Sequence, residues 1–465
     1  MSQVLDSPLH DFRNSFGGQV ITAGDADYDT ARAVWNGDID RHPAVIARCA
    51  DTADVSSAIA FARAQGLEIS VRGGGHNFSG AAVADGALMI DLSLLRQVSV
   101  DPEAQRVRCG GGTTGADLDS ATQEHGLAVT MGTISHTGVA GLSLGGGFGW
   151  LTNKMGLSCD NLISAEVALA DGRVVRASES EHADLLWALK GGGGNFGVVT
   201  EFEFRVEPVG PMINFALLFW ETDRRADALR VARDALEKLP KNAGGLLAAG
   251  LNAPPEPFVP EQYHFAPGCA VIIAGFGTAE EHARLVDPLR AALPPLFELV
   301  SPIPYVGLQQ MLDASAIWGS HAYEKALHLD EMPDEVIATL AEYLPRKKSP
   351  LSFLPIFPLG GAYSEVDEDA TAFGGSRGAR WVLNIGAFSP DPAVLAEDRI
   401  WVRELWEALR PYASNSGGYV NFMAEYEADR VRTAYGPAKY ERLAQIKTCY
   451  DPENVFHLNA NIQPG

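Results

Sequence analysis

Cysteine is scarce in this sequence. Cys49, Cys109, Cys159, Cys269 and Cys449 are five among 465 residues, an odd number with no CxxC spacing. That argues against a disulfide framework or a structural zinc site, and for reduced thiols in a cytoplasmic protein. No run of about 18 apolar residues occurs, so no membrane-spanning helix is expected. The opening MSQVLDSPLHDFRNSFGG lacks the basic stretch and following apolar stretch of a secretory signal. Basic residues are also few: 36 Lys and Arg against 59 Asp and Glu give a net charge of -23. Such a surface repels phosphate backbones, so nucleic acid is not an expected partner. There is no P-loop lysine motif, GxSxG elbow or HExxH pair. His10, His42, His182, His264, His321 and His328 are scattered without ligand spacing, so no metal is expected.

What remains is an ordinary globular composition, 46% hydrophobic and 20% charged. The length suggests two or three domains. Glycine is the exception, with 48 residues whose runs concentrate between Gly73 and Gly197. Around them, segments 44–48, 67–72, 88–91, 98–100, 106–109, 161–169, 174–177 and 198–206 read as strands. Segments 52–64, 115–125 and 183–189 read as helices, the first two stopped by Gly66 and Gly126. After Pro208 the pattern changes. Strands at 214–220, 246–251, 269–276, 352–357 and 380–388 accompany helices at 224–239, 280–293 and 392–412. The tail carries an expected strand at 419–423 and a helix at 437–447. The reading is α+β: a first domain over 39–210 after an N-terminal segment 1–38, a second over 211–417 with a mainly antiparallel sheet covered by helices, and a tail 418–465 that returns to the first.

Three glycine motifs stand out. Arg72-Gly73-Gly74-Gly75-His76-Asn77-Phe78-Ser79-Gly80 follows a strand directly. It is either a nest of backbone N–H groups for an anion such as pyrophosphate, with His76 at the rim, or a surface loop with an incidental histidine. Gly132 to Trp150 holds seven glycines in nineteen residues, too many for a stable helix core. Its Val139, Leu142, Leu144, Phe148 and Trp150 give it too much apolar mass for a linker, so it is expected to wrap an elongated polar ligand. His136 inside it either lines the ligand or stabilises a turn. Gly192-x-Gly194-x-x-Gly197 matches the dinucleotide pattern but follows a helix and precedes a strand, the wrong order for a nicotinamide site.

Taken in order, several stretches resemble the berberine bridge enzyme-like branch of the vanillyl-alcohol oxidase flavoproteins, with its PCMH-type FAD-binding domain. They are Asp40-Arg41-His42-Pro43, RGGGHNFSG, GVAGLSLGGGFGWLTNKMGLSCDNL ending at Leu162, LLWALKGGGGNFGVVTEFEF ending at Phe204, Tyr419-Val420-Asn421-Phe422 and the segment Tyr450 to Phe456. The 6-hydroxy-D-nicotine oxidase-like bacterial proteins look nearer than the plant enzymes. The resemblance implies a two-part FAD domain, built from the N-terminal part and the tail, with a substrate domain between. It implies FAD bonded covalently through His76 to the flavin 8α-methyl. Ile134 stands where many relatives have a second, cysteine attachment, and Cys159 is too far along to replace it, so one bond is expected.

By the same resemblance, Arg72, Gly73, Gly74, Gly75, Asn77 and Gly80 should contact the pyrophosphate. Ser135, Thr137, Gly138, Gly141 and Gly147 should line the path to the flavin. Val199 should pack on the cofactor, and Tyr419, Asn421 and Asn459 should close it. Phe422 occupies a pocket position where alcohol-oxidising relatives carry a tyrosine base, and phenylalanine cannot take a proton. Asn384 falls near the position that supports the base in relatives. Tyr323 and Lys325 are further candidates, on what reads as a helix face.

The implied activity is hydride transfer from a C–O or C–N carbon of a small organic substrate, with O2 reduced to H2O2. The small Thr137 favours oxygen access. Two alternatives stand: a tailoring enzyme for a polyketide, sugar or alkaloid, favoured by a large polar cavity, and a flavin-binding protein without turnover, favoured by Phe422 alone. Oligomeric state, a homodimer included, is open.

Overall fold

The computed structural model describes residues 2–414, 419–424, 426 and 428–465. The expected junction at 417–418 lies outside them.

The first unit begins with a four-stranded sheet in the order Gln19–Ile21, Val45–Arg48, Leu88–Asp91, Ile69–Arg72. The last three are parallel, joined through the helix Thr52–Gln65. That helix starts where Asp51 accepts from the Asp54 N–H at 2.9 Å and ends at Gly66, whose φ of 64° needs no Cβ. A five-stranded antiparallel sheet follows, ordered Val98–Asp101, Arg106–Gly110, Val198–Arg205, Leu162–Ala168, Val174–Ser178. The glycine-rich run between them is not all loop. Val139–Gly145 is helical, because Val139, Ala140, Ser143 and Leu144 are buried and packing outweighs the low propensity of glycine.

The second unit is a seven-stranded antiparallel sheet. Its order is Phe297–Pro304, Met212–Glu221, Pro267–Gly275, Ala243–Asn252, Leu354–Pro358, Trp381–Ser389, His321–Leu329. One face is covered by Arg225–Leu236, Ala279–Ala292, Asp334–Tyr343 and Pro392–Leu409. Alternation divides each strand. Leu218, Trp220, Leu383 and Ile385 join the helix side, while Phe215, Leu217, Val382 and Phe388 pack with the first unit. With both faces buried, the strands read as continuous apolar runs.

Three expectations on this side are corrected. Residues 321–325 belong to the edge strand His321–Leu329, not to a helix. The helix from Pro392 ends at Leu409 and tightens into a 3-10 turn, Arg410–Tyr412, where Pro411 supplies no N–H. Tyr419–Met423 is not a strand, because Val420–Phe422 forms a 3-10 turn. Strand Phe297–Pro304 carries a weak strand signal because of Pro302 and Pro304, which an edge strand tolerates.

Both ends of the chain are tied into this framework. Asn36 donates to the Phe78 carbonyl at 3.0 Å and accepts from the Ala322 N–H at 3.2 Å, joining the RGGGH loop to the edge strand of the second unit. The helix Pro437–Tyr450 buries Lys447, whose ammonium donates to the Asn195 carbonyl (2.7 Å), the Phe456 carbonyl (3.0 Å) and Asp451 (2.6 Å). Burial pulls the Lys447 pKa down while Asp451 pushes back. Among the described residues, no helix is long and apolar enough to cross a membrane.

Because the Lys447–Asp451 pair is fully buried, losing one partner strands the other charge. Lys447→Met is expected to cost about 3–5 kcal/mol of stability. Urea denaturation checks this, and an unchanged midpoint would show that the tail is not anchored there.

Candidate functional site

Arg72 ends a buried strand, and its guanidinium does not reach forward. It donates to Asp91 at 2.6 and 3.1 Å and to the carbonyls of Ala31 (2.7 Å) and Ala33 (3.1 Å). Burial alone would raise the Asp91 carboxyl, but Arg72 and Arg48 outweigh it and hold it low. Arg72 is therefore a strut behind the glycine loop, and the expected pyrophosphate contact is corrected. The three glycines after it turn sharply, Gly75 with φ 70°. Gly74 meets Gly138 so closely that a Cβ on Gly74 would sit 2.2 Å from the Gly138 nitrogen, and one on Gly138 would sit 2.3 Å from the Gly74 nitrogen. Neither loop tolerates a side chain there.

A cavity of about 370 Å³ runs along this seam, bounded by both units and the tail. Gly73, Gly74, Gly75, His76 and Asn77 form one wall. Thr137, Gly138, Gly141 and Val199 form another, and Tyr419, Asn421, Phe422 and Asn459 close it. Ile134, in place of the second attachment cysteine, also faces it. Cys159 is buried away from it.

Four carried-over residues are not on its wall. Gly80 faces Ile39. Gly147 lies behind Tyr419, donating its N–H to the phenol oxygen at 2.8 Å. Arg72 is described above. Ser135 is held by Asp313, which accepts from its N–H (2.7 Å) and hydroxyl (2.6 Å).

His76 is enclosed. Its ring stacks on Trp35 at 5.2 Å and meets the edge of Trp318 at 5.8 Å. Its Nε2 lies 2.6 Å from Nδ1 of His136. Burial pushes the His76 pKa down to about 3, with His136 adding to the effect, so the imidazole is neutral at ordinary pH. Its Nδ1 has no hydrogen-bond partner among the described residues.

From the second unit, the strands His321–Leu329 and Trp381–Ser389 present Glu324 and Asn384 to the cavity. The Asn384 amide donates to Glu324 Oε2 at 2.7 Å, leaving Glu324 Oε1 and Asn384 Oδ1 buried without partners. Burial raises the Glu324 carboxyl well above its usual range, offset in part by the Asn384 bond. Trp35, Phe78, Phe353, Phe357 and Phe388 supply an aromatic surround. Tyr426 also lines the cavity, its hydroxyl accepting from Asn77 at 2.7 Å.

Tyr323 and Lys325 point the opposite way. Arg403 donates to the Tyr323 hydroxyl at 3.2 Å, and the Lys325 ammonium sits 4.3 Å from the Trp406 ring centroid. They line a second cleft, against the helix Pro392–Leu409, which shares Glu324, Tyr419 and Phe422 with the cavity, but neither is on the cavity wall, which corrects their candidacy. The residue between them is the one that enters the cavity, as a period of two requires. A strand reading of 320–325 would have found Glu324. Tyr426 had no signal beyond lying four residues past Phe422.

The cavity suits an elongated cofactor. An added Cβ at Gly141 or Gly194 would meet nothing within 4 Å, so both open onto space, and Asn459 Oδ1 is a buried acceptor without a partner. No cluster of His, Cys, Asp or Glu suited to a metal occurs among the described residues.

Comparison with known proteins agrees. A family model described as FAD binding domain matches residues 43–178, and one described as berberine and berberine like matches 418–463. The chain is 31% identical to (R)-6-hydroxynicotine oxidase of Paenarthrobacter nicotinovorans, over 100% of this chain and 99% of that one. It is 27% identical to glucooligosaccharide oxidase of Sarocladium strictum, over 94% and 90%. The crystal structure of 6-hydroxy-D-nicotine oxidase from Arthrobacter nicotinovorans superposes with a TM-score of 0.85 at 28% identity, covering 97% of this chain and 99% of that chain. A two-part PCMH-type FAD-binding unit enclosing an antiparallel substrate unit, with this degree of likeness along its whole length, makes the chain a member of the berberine bridge enzyme-like family of FAD-linked oxidoreductases.

Proposed function

We propose that the protein is an oxidase of small amines or alcohols with an apolar body, working through FAD tethered to His76 alone. One observation carries this reading: a single cavity is lined both by a neutral imidazole and by a buried Glu324–Asn384 pair. Bound FAD supplies the two-electron acceptor for hydride from a carbon bearing oxygen or nitrogen, with O2 as terminal oxidant, released as H2O2.

The chain's own residues do the rest. The aromatic walls, Phe353, Phe357 and Phe388 among them, exclude water and hold the substrate body. Glu324 accepts the proton of the substrate hydroxyl or amine at Oε1, and Asn384 orients the carboxyl through Oε2. Thus Asn384 acts as a support, while Phe422 shapes the pocket and needs no titration. Thr137 leaves room for oxygen.

His76 provides the tether with Nδ1, and Ile134 limits attachment to one bond. The residue ranges 39–210 with 418–465 for the cofactor, and 211–417 for the substrate, fit this division of labour. The apolar surround favours small substrates over the sugars and polyketides of a tailoring enzyme.

Acid precipitation of purified protein is expected to leave the yellow colour in the pellet, and His76→Ala to release it into the supernatant. Colour lost from the unmodified protein would remove the tether.

A raised carboxyl is protonated in the usual glutamate range and gains its basic form only as pH rises. With a substrate that does not itself titrate, kcat/KM should climb with pH through one ionisation above that range. Glu324→Gln should lose this limb and fall by roughly 100-fold. A retained limb would assign the proton to another group, and absence of turnover across a broad amine and alcohol panel would favour a flavin-binding role alone.

A further inference from the structure

His136 has no part in the reaction described above, yet it is the polar neighbour of the tether. Its Nδ1 lies 2.6 Å from His76 Nε2, with the two ring centroids 4.6 Å apart. It cannot drift, because Ser135 beside it is held through both N–H and hydroxyl by Asp313 of the second unit, at 2.7 and 2.6 Å. Trp35, stacked on the other side of His76, donates its indole N–H to the Ala316 carbonyl at 2.8 Å, in the segment that carries Asp313. The two imidazoles are thus set face to proton by contacts that run between the units.

Attachment demands one tautomer of this pair. If Nδ1 of His76 is to form a bond to carbon, its lone pair must be free and the ring proton must sit on Nε2. In that form Nε2–H donates to His136 Nδ1; the short contact also admits the reverse donation, but only the first leaves Nδ1 of His76 free to react. Burial lowers the His136 pKa as well, though Asp313 opposes it, so His136 is neutral at ordinary pH and able to accept at Nδ1 when its proton is on Nε2.

We infer that His136 is a positioning residue for cofactor attachment, which fixes the His76 tautomer and takes its Nε2 proton as the bond to the flavin forms. This rests on the reading of His76 as the tether. In the step, a bond forms between His76 Nδ1 and the 8α carbon. One C–H bond of the methyl and the N–H bond of the imidazole break. Two electrons remain on the isoalloxazine, and dioxygen removes them with the two protons as H2O2. Without an acceptor at Nε2, the product would be a buried imidazolium, which the same desolvation that depresses the His76 pKa disfavours.

The test follows attachment rather than turnover. Protein expressed under riboflavin starvation is mixed with FAD and quenched in acid at intervals. Covalent flavin is then read by in-gel fluorescence and by the mass of the intact chain. His136→Gln keeps an oxygen that can accept from Nε2–H but cannot take the proton, and His136→Ala removes both. Reversible FAD binding before the quench, read by flavin fluorescence, shows that each variant is folded.

Both variants are expected to bind FAD as the unmodified protein does and to attach it about 100-fold more slowly. Attachment in the unmodified protein should slow as the pH falls and His136 becomes charged, and His136→Gln should lack that dependence. Attachment at the unmodified rate in His136→Gln overturns the inference. So does an unaltered pH profile in the variant, or a slowing matched by lost reversible binding, either of which marks a structural role only. If the unmodified protein itself forms no covalent flavin, the tether at His76 fails, and this inference fails with it.

Discussion

The site depends on how closely two backbones approach each other. Gly74 and Gly138 touch with no room for a Cβ on either, and this contact sets the distance between the loop that carries His76 and the loop that carries His136. The strut behind it, Arg72 on Asp91 and on the Ala31 and Ala33 carbonyls, keeps the first loop from retreating. A buried ion pair of this kind adds little net stability, but breaking it would leave a charge without compensation. Geometry at His76 is therefore determined by packing that is unforgiving on both sides.

A second division runs through the seven-stranded sheet. Its helix-side residues close a hydrophobic layer, while its other face supplies every second-unit strand residue on the cavity wall. Glu324 illustrates the consequence. It is flanked in sequence by Tyr323 and Lys325, which serve the opposite side, and it is joined instead to Asn384 on the neighbouring strand. A buried carboxylic acid with one unpartnered oxygen is costly to hold unless that oxygen finds a partner in use.

Much of this was legible in the residues. The strands and helices of the first unit follow from capping residues, β-branched runs and terminal glycines, and the RGGGH loop declares itself by its place after a strand. What was not legible has physical reasons. Sequence adjacency put Arg72 with the loop, but a side chain at a strand end can point behind it. Glycine count argued against a helix at Val139–Gly145, and burial overrode it. Segment 320–325 gave too few residues to separate a helix from an edge strand, and the wrong period chose Tyr323 and Lys325 over Glu324. The approach of His136 to His76 joins loops sixty residues apart, and no local pattern records that.

The Lys447 junction bears on how such a chain is assembled. Asn195, near the end of the first unit's glycine segments, is bonded both to Lys447 and to the backbone of Ala460 and Ile462. Between them the chain must build the entire seven-stranded sheet. During synthesis, which releases residues from the N-terminal end, the cofactor unit stays unfinished while its insert takes shape. Its wall at Gly194 and Asn459 needs residues from both sides of that insert, so a flavin bound there touches two distant stretches of sequence and adds stability to the arrangement that joins them.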